Sequence, residues 1–88
     1  MTGDEPHTPS TPAQGRFMDA WEVEFPDLDK SAGFTATRVV LYLYARPPDP
    51  QLQRMGELAR QEGVGLVVAL RTDENAADGE VLYDEAAP

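Results

Sequence analysis

The chain has 88 residues and no cysteine, and its sixteen acidic against seven basic residues give a net charge of −9. The absence of cysteine excludes disulfides and thiolate metal sites, and the acidic excess disfavours general binding to phosphate backbones. The length allows one domain at most, which we place at residues 16–85, between a flexible tail (1–15) and a frayed C-terminus (86–88).

The predicted elements begin after a proline-rich tail. Residues 1–15 hold three prolines and no large apolar residue beyond the first methionine. Such a segment cannot offset its ordering entropy by burial, so we predict that it is disordered. Phe17–Phe25 ends in an alternation that points Trp21 and Val23 to one side, which predicts a strand that Pro26 terminates.

Residues 37–71 have the pattern of a strand, a helix and a second strand. After a polar connection at residues 26–33, strands are predicted over Thr35–Ala45 and Val64–Arg71, and both have apolar residues on two faces, as interior strands do. Between them, apolar residues at three-to-four spacing predict a helix over residues 50–62. Because a helix joins the two strands, we expect them to be parallel.

Turn residues mark both ends of the predicted helix. Asp49 is expected to cap its N-terminus, with Pro50 at the first helical position, and Gly63 fits a left-handed C-terminal cap. A short edge strand over Glu80–Tyr83 completes the order ββαββ. The predicted fold class is α+β, a two-layer sandwich in which one helix packs on a mixed sheet of about four strands.

One helix covers only one face of such a sheet, so the second face needs other cover. On the second predicted strand this face alternates arginine, valine and tyrosine, and we expect Trp21 to join it. Tyrosine and arginine are enriched at protein interfaces. The candidate interface therefore consists of Arg38, Val40, Tyr42, Tyr44, Arg46 and Trp21, and its expected partner is a second copy or another protein.

Aromatic side chains between arginines can also stack on nucleic-acid bases. Residues 31–72 carry five arginines against three acids, but acidic margins lie on both sides of them. Those margins would repel a phosphate chain, so nucleic acid is the least favoured occupant.

Other motifs point to no chemistry. Residues 74–85 partly match a calcium-binding loop, but Ala76 at its third position has no ligand atom and its flanks are predicted strands, so an ordinary hairpin turn is favoured. The carboxylates at residues 22–29 are expected to form a solvated face instead of a metal site. We recognise no catalytic set, metal site or cofactor motif, and we predict that the chain is not an enzyme.

Three classes of function remain open. The first is a small acidic non-enzymatic domain that acts through protein–protein contacts, as a homodimer through its sheet face. The second is an acidic regulator or inhibitor that binds a basic protein surface, which the acidic margins at residues 19–29 and 73–85 motivate. The third is a small-ligand-binding domain at a dimer seam near Tyr42 and Tyr44.

The sequence also bears on location. No apolar run approaches the roughly 18 to 20 residues of a membrane span. The N-terminus lacks the basic start and apolar stretch of a signal peptide. We therefore expect a cytoplasmic protein without a membrane partner.

Overall fold

The computed structural model describes residues 8–71 and 80–87. The four strands in these ranges form one mixed sheet in the order β1-β2-β3-β4, with the central β2–β3 pair parallel and both outer pairs antiparallel. The predicted α+β class, the mixed sheet of four strands and the ββαββ order are confirmed, and a further helix precedes them. In chain order the elements are α1 (Pro12–Glu24), β1 (Lys30–Phe34), β2 (Arg38–Leu43), α2 (Asp49–Glu62), β3 (Gly65–Leu70) and β4 (Glu80–Glu85).

Helix α1 begins inside the predicted tail. The Thr11 side chain accepts a hydrogen bond from the backbone N–H of Gln14 (3.1 Å), and Pro12 occupies the first turn. A capping hydroxyl followed by a proline, whose missing N–H is not needed at this position, starts a helix. The tail prediction for residues 1–15 is therefore wrong from Pro12 onward, and residues 1–7 lie outside the described residues.

The burial of α1 has a helical period. Phe17 and Trp21, four residues apart, are 0% and 1% exposed, whereas Val23 is 81% exposed. The predicted strand over Phe17–Phe25 is therefore wrong, because the buried side recurs every three to four residues and not every two. Trp21 belongs to the core, so the expectation that it joins the second face of the sheet is also wrong.

Strand β1 forms within the predicted polar connection. Lys30 lies opposite Leu43 and Phe34 lies opposite Val39 in an antiparallel pair with β2. The strand contains lysine, serine, alanine and glycine, which have low β propensity, so it depends on pairing with β2. The connection predicted over residues 26–33 is wrong from Lys30 onward.

Both helices pack on the same face of the sheet. Val39, Leu41 and Leu43 of β2 are buried beneath them, whereas Val40 and Tyr42 alternate with these residues and face the other way. This core includes Phe17, Met18, Trp21, Val39, Leu41, Leu43, Leu52, Met55, Leu58, Leu66 and Val68.

Helix α2 begins one residue before the predicted range of 50–62, ends at Glu62 as predicted, and has a different N-terminal cap. Pro48 is the capping residue and makes no side-chain bond, while Asp49 is already helical. The predicted positions of Asp49 and Pro50 are therefore wrong by one residue, although the Asp49 carboxylate still lies in the first turn, where it suits the helix dipole. At the other end Gly63 has a φ of 73°, which confirms the left-handed cap.

Helix α2 packs against the edge strand β4 at Gly56, where Arg60, Tyr83 and Glu85 form hydrogen bonds. The Tyr83 ring lies so close to Gly56 that a Cβ there would be 2.5 Å from its Cζ. Arg60 donates to the Tyr83 hydroxyl (3.2 Å) and to Glu85 (2.8 Å), and Tyr83 itself donates to Glu85. This bond lowers the pKa of Glu85, while burial and then the Glu85 carboxylate raise the pKa of Tyr83.

Two predictions near the C-terminus fall partly outside the described residues. Of the segment weighed as a calcium loop, residues 80–85 form strand β4, and residues 74–79 lie outside the described part. Ala86 and Ala87 follow the strand and are exposed, and Pro88 is not described.

Candidate interaction surface

The face of the sheet opposite the helices is the candidate functional surface, and we call it the open sheet face. No helix of the described ranges lies over it, because α1 and α2 both pack on the other side. Strand register assigns to this face Ser31, Gly33, Arg38, Val40, Tyr42, Gly65, Val67, Ala69, Val81 and Asp84.

The centre of the open sheet face is apolar. Val40 lies beside Val67, and Tyr42 lies beside Ala69, which is opposite Val81 on β4. Val81 is 57% exposed, Val40, Tyr42 and Val67 are half-buried by their neighbours, and Ala69 is buried. A contiguous apolar row of this kind on a surface indicates a place of contact.

Ion pairs border this centre at opposite ends of the strands. Arg38 Nη1 is 3.3 Å from Asp84 Oδ1, and Arg46 Nη2 is 2.7 Å from Glu80 Oε2. Such exposed pairs contribute at most about 1 kcal/mol each to stability. Their main effect is on the surface charge, because each of these two arginines has its charge balanced by a neighbouring acid.

The tyrosines lie toward the end of the face where Arg46 is found. The guanidinium of Arg71 is 5.5 Å from the Tyr42 ring centroid, within the range of a cation–π contact. The Tyr44 hydroxyl is 2.8 Å from Ser31 Oγ, and Tyr44 is 48% exposed. Both rings are therefore held by polar neighbours at one side of the apolar centre.

The predicted interface residues are only partly brought together. Arg38, Val40 and Tyr42 lie on the open sheet face, Tyr44 and Arg46 continue beyond its β2 end, and Trp21 lies in the core. Their role in binding stays a prediction. Sequence reasoning missed the contributions of β3 and β4, which the alternation within each strand carries, namely Val67, Ala69, Arg71, Val81 and Asp84.

A recess of about 310 Å³ lies beside Tyr44. It sits at the strand ends and is lined by Asp27, Leu28, Asp29, Tyr44 and Ala45. Two of its five lining residues are carboxylates, and Tyr42 is not in its wall. Across residues 8–71 and 80–87, no three histidine, cysteine, aspartate or glutamate side chains are grouped as a metal site requires.

The acidic margin near α1 is partly engaged within the chain. Arg54 makes a bidentate contact with Glu24, with Nη2 at 2.6 Å and Nε at 2.8 Å from Oε1, and Lys30 lies 3.3 Å from Glu22. The bonds from Arg54 lower the pKa of Glu24. Asp19 remains exposed on the same helix.

Comparisons of the chain with models of known protein families, with curated proteins and with solved structures find no match. Neither helix in the described part is long and apolar enough to cross a membrane. Function is therefore inferred from surface geometry.

Proposed function

We propose that this chain is a small non-enzymatic interaction domain of the cytoplasm that forms a homodimer through its open sheet face. The observation that carries the proposal is the position of both helices on one side of the sheet. It leaves the row of Val40, Val67 and Tyr42, with the exposed Val81 at its edge, without a helix over it in the described ranges. Removing such apolar surface from water favours association by about 25 cal/mol per Å², from which the free energy of the lost translational and side-chain freedom is subtracted.

The arrangement of charge supports a second copy as the partner. An apolar centre with a charged rim is the usual anatomy of a protein interface. Because Arg38 stands next to Asp84, and Arg46 next to Glu80, a copy related by a two-fold axis meets alternating charges and not a single sign. Two such sheets can pack face to face at about 10 Å separation.

Sedimentation of the full chain tests this proposal. A homodimer has twice the monomer mass of 9.6 kDa and persists from low to high salt, because burial of apolar surface is not screened. A monomer at every concentration would refute the proposal. Capture of a basic partner, the second class of function, would instead weaken steeply as salt rises.

A matched pair of variants locates the interface. Tyr42→Glu places a charge at the apolar centre and should raise the dissociation constant at least about a hundredfold, which is roughly 2.7 kcal/mol. Val23→Glu adds the same charge on α1, where Val23 is 81% exposed, and should leave the dimer intact. Equal weakening by both variants would place the interface elsewhere, and circular dichroism checks that each variant is folded.

A further inference from the structure

The second surface of interest is the outer edge of β1. At the hairpin end the N–H of Thr35 donates to the carbonyl of Arg38 (2.9 Å). At the other end the carbonyl of Leu43 accepts from Arg71, on the side of β3 (2.7 Å). Hydrogen-bonded and non-hydrogen-bonded pairs alternate along an antiparallel ladder, so these two bonds fix the direction of every backbone group in β1.

The unpaired backbone groups of β1 follow from this alternation. Ser31 and Gly33 exchange hydrogen bonds with β2. The N–H and C=O groups of Lys30, Ala32 and Phe34 therefore point away from β2, to the edge of the sheet. Within residues 8–71 and 80–87, no backbone group outside the sheet bonds to them.

A groove runs between this edge and α1. It consists of two recesses of about 320 and 220 Å³ that share Glu22 and Lys30 in their walls. The larger recess is lined by Pro9, Met18, Glu22, Lys30, Ala32 and Phe34, so the residues with outward backbone groups also form its wall. The smaller recess reaches Trp21, whose buried indole N–H has no acceptor in the described part of the chain.

The opposite edge of the sheet is protected. Strand β4 carries three acids, Glu80, Asp84 and Glu85, and its pairing with β3 shifts register between Val68 and Ala69. Charges and bulges are the devices that prevent strand addition at an edge. Strand β1 has no bulge, and its one charged residue is Lys30, at its start.

Charge decides which strand fits this edge. Glu22 is exposed in the α1 wall of the groove, where Lys30 contacts it at 3.3 Å, and Asp19 is exposed on the same helix. Because the chain carries a net charge of −9, a second copy in this position would add a further acidic chain, which disfavours it. A strand with basic residues complements them.

We propose that the β1 edge binds an extended, basic segment of a partner protein by antiparallel strand addition. Backbone groups of Lys30, Ala32 and Phe34 pair with the added strand, and its alternate apolar side chains enter the groove beside α1. The basic residues between them meet the acidic surroundings. This site is separate from the open sheet face and requires a different partner.

Fluorescence anisotropy with a labelled, capped peptide Lys-Val-Lys-Val-Lys-Val-Lys tests the proposal on the full chain. The peptide should bind saturably, and N-methylation of its edge-facing amides should weaken binding at least tenfold without a change of charge. Ala32→Pro removes an outward N–H that makes no bond to β2, a change that edge strands tolerate, and should weaken binding equally. Ala86→Pro, at an exposed residue after β4, should leave it unchanged.

The outcomes separate this proposal from the alternatives. Equal binding of the methylated and unmethylated peptides would mean simple charge attraction and would overturn it. Conversion of a dimer to a monomer by Ala32→Pro would assign the edge to a second copy and would also overturn it. If Ala32→Pro unfolds the chain, the two peptides alone decide. Tyr42→Glu should not affect peptide binding, so the test is independent of the proposed homodimer.

Discussion

Replacing Gly56 with alanine should destabilise the fold, although glycine is a poor residue for the middle of a helix. Alanine there would by itself favour the helix by about 1 kcal/mol. The added Cβ would lie 2.5 Å from Cζ and 3.1 Å from Cε2 of Tyr83, so the ring must leave its place against α2. Loss of its burial costs roughly 1.5 to 3 kcal/mol. The net loss for Gly56→Ala is therefore about 0.5 to 2 kcal/mol.

A double-mutant cycle tests whether the change in unfolding free energy on Gly56→Ala reverses its sign when Tyr83 is absent. In a Tyr83→Ala background the steric conflict is absent, so Gly56→Ala should stabilise the chain by about 1 kcal/mol. Urea unfolding of the four proteins, followed by circular dichroism and by Trp21 fluorescence, measures both free energies. Stabilisation by Gly56→Ala in the parent chain would show that the Tyr83 ring does not pack against Gly56.

Three other predictions concern stability. Gln14→Ala should lower the free energy of unfolding in urea by about 1 to 3 kcal/mol, because the buried amide donates to two carbonyls of the β1–β2 turn. The control Gln53→Ala, on the exposed side of α2, should change this free energy by no more than about 0.5 kcal/mol. Arg54 lowers the pKa of Glu24 from its ordinary 4.5, so the stabilisation from Glu24 is present above that pH and lost as pH falls; Glu24→Gln should flatten the acid limb of stability. The pKa of Tyr83 is raised from 10.0, so the stability that Tyr83 contributes is present below that pH and is lost as pH rises through the raised pKa. The difference in tyrosinate absorbance between the parent chain and Tyr83→Phe, followed with pH, should show this tyrosine ionising above pH 10.

The sequence patterns that predicted correctly are those in which every local signal agrees. β2, α2 and β3 combine apolar runs, helical spacing and a glycine cap, and their pairing follows from the helix between them. The start of α1 had an equally specific signal in Thr11 and Gln14, the spacing of a capping box. The proline-rich surroundings instead favoured a disordered tail, and the chance alternation of Trp21, Val23 and Phe25 favoured a strand.

Strand β1 had no comparable local signal. Its residues have low β propensity, and only Phe34 is strongly apolar. It becomes a strand because β2 offers a ladder at the edge of the sheet and because α1 covers one side of it, with Gln14 donating to the carbonyl of Thr35 (2.9 Å) at the turn. Strand pairing that depends on distant residues cannot be predicted from a short stretch of sequence. The groove beside β1 could not be predicted for the same reason.

The charge of the open sheet face depends in the same way on distant residues. Sequence alternation places Arg38, Tyr42 and Arg46 in line, on a segment that is mildly basic between acidic margins. Asp84 of the last strand pairs with Arg38 on this face, and Glu80 of the same strand pairs with Arg46 beyond its β2 end. A strongly acidic chain can therefore present one neutral surface to a second copy, because the arginines it has are placed among acids at that surface. Among the described residues away from this surface, Asp19 and Glu22 are exposed on α1, and the proposed β1 site relies on such acids to favour a basic partner over a second copy.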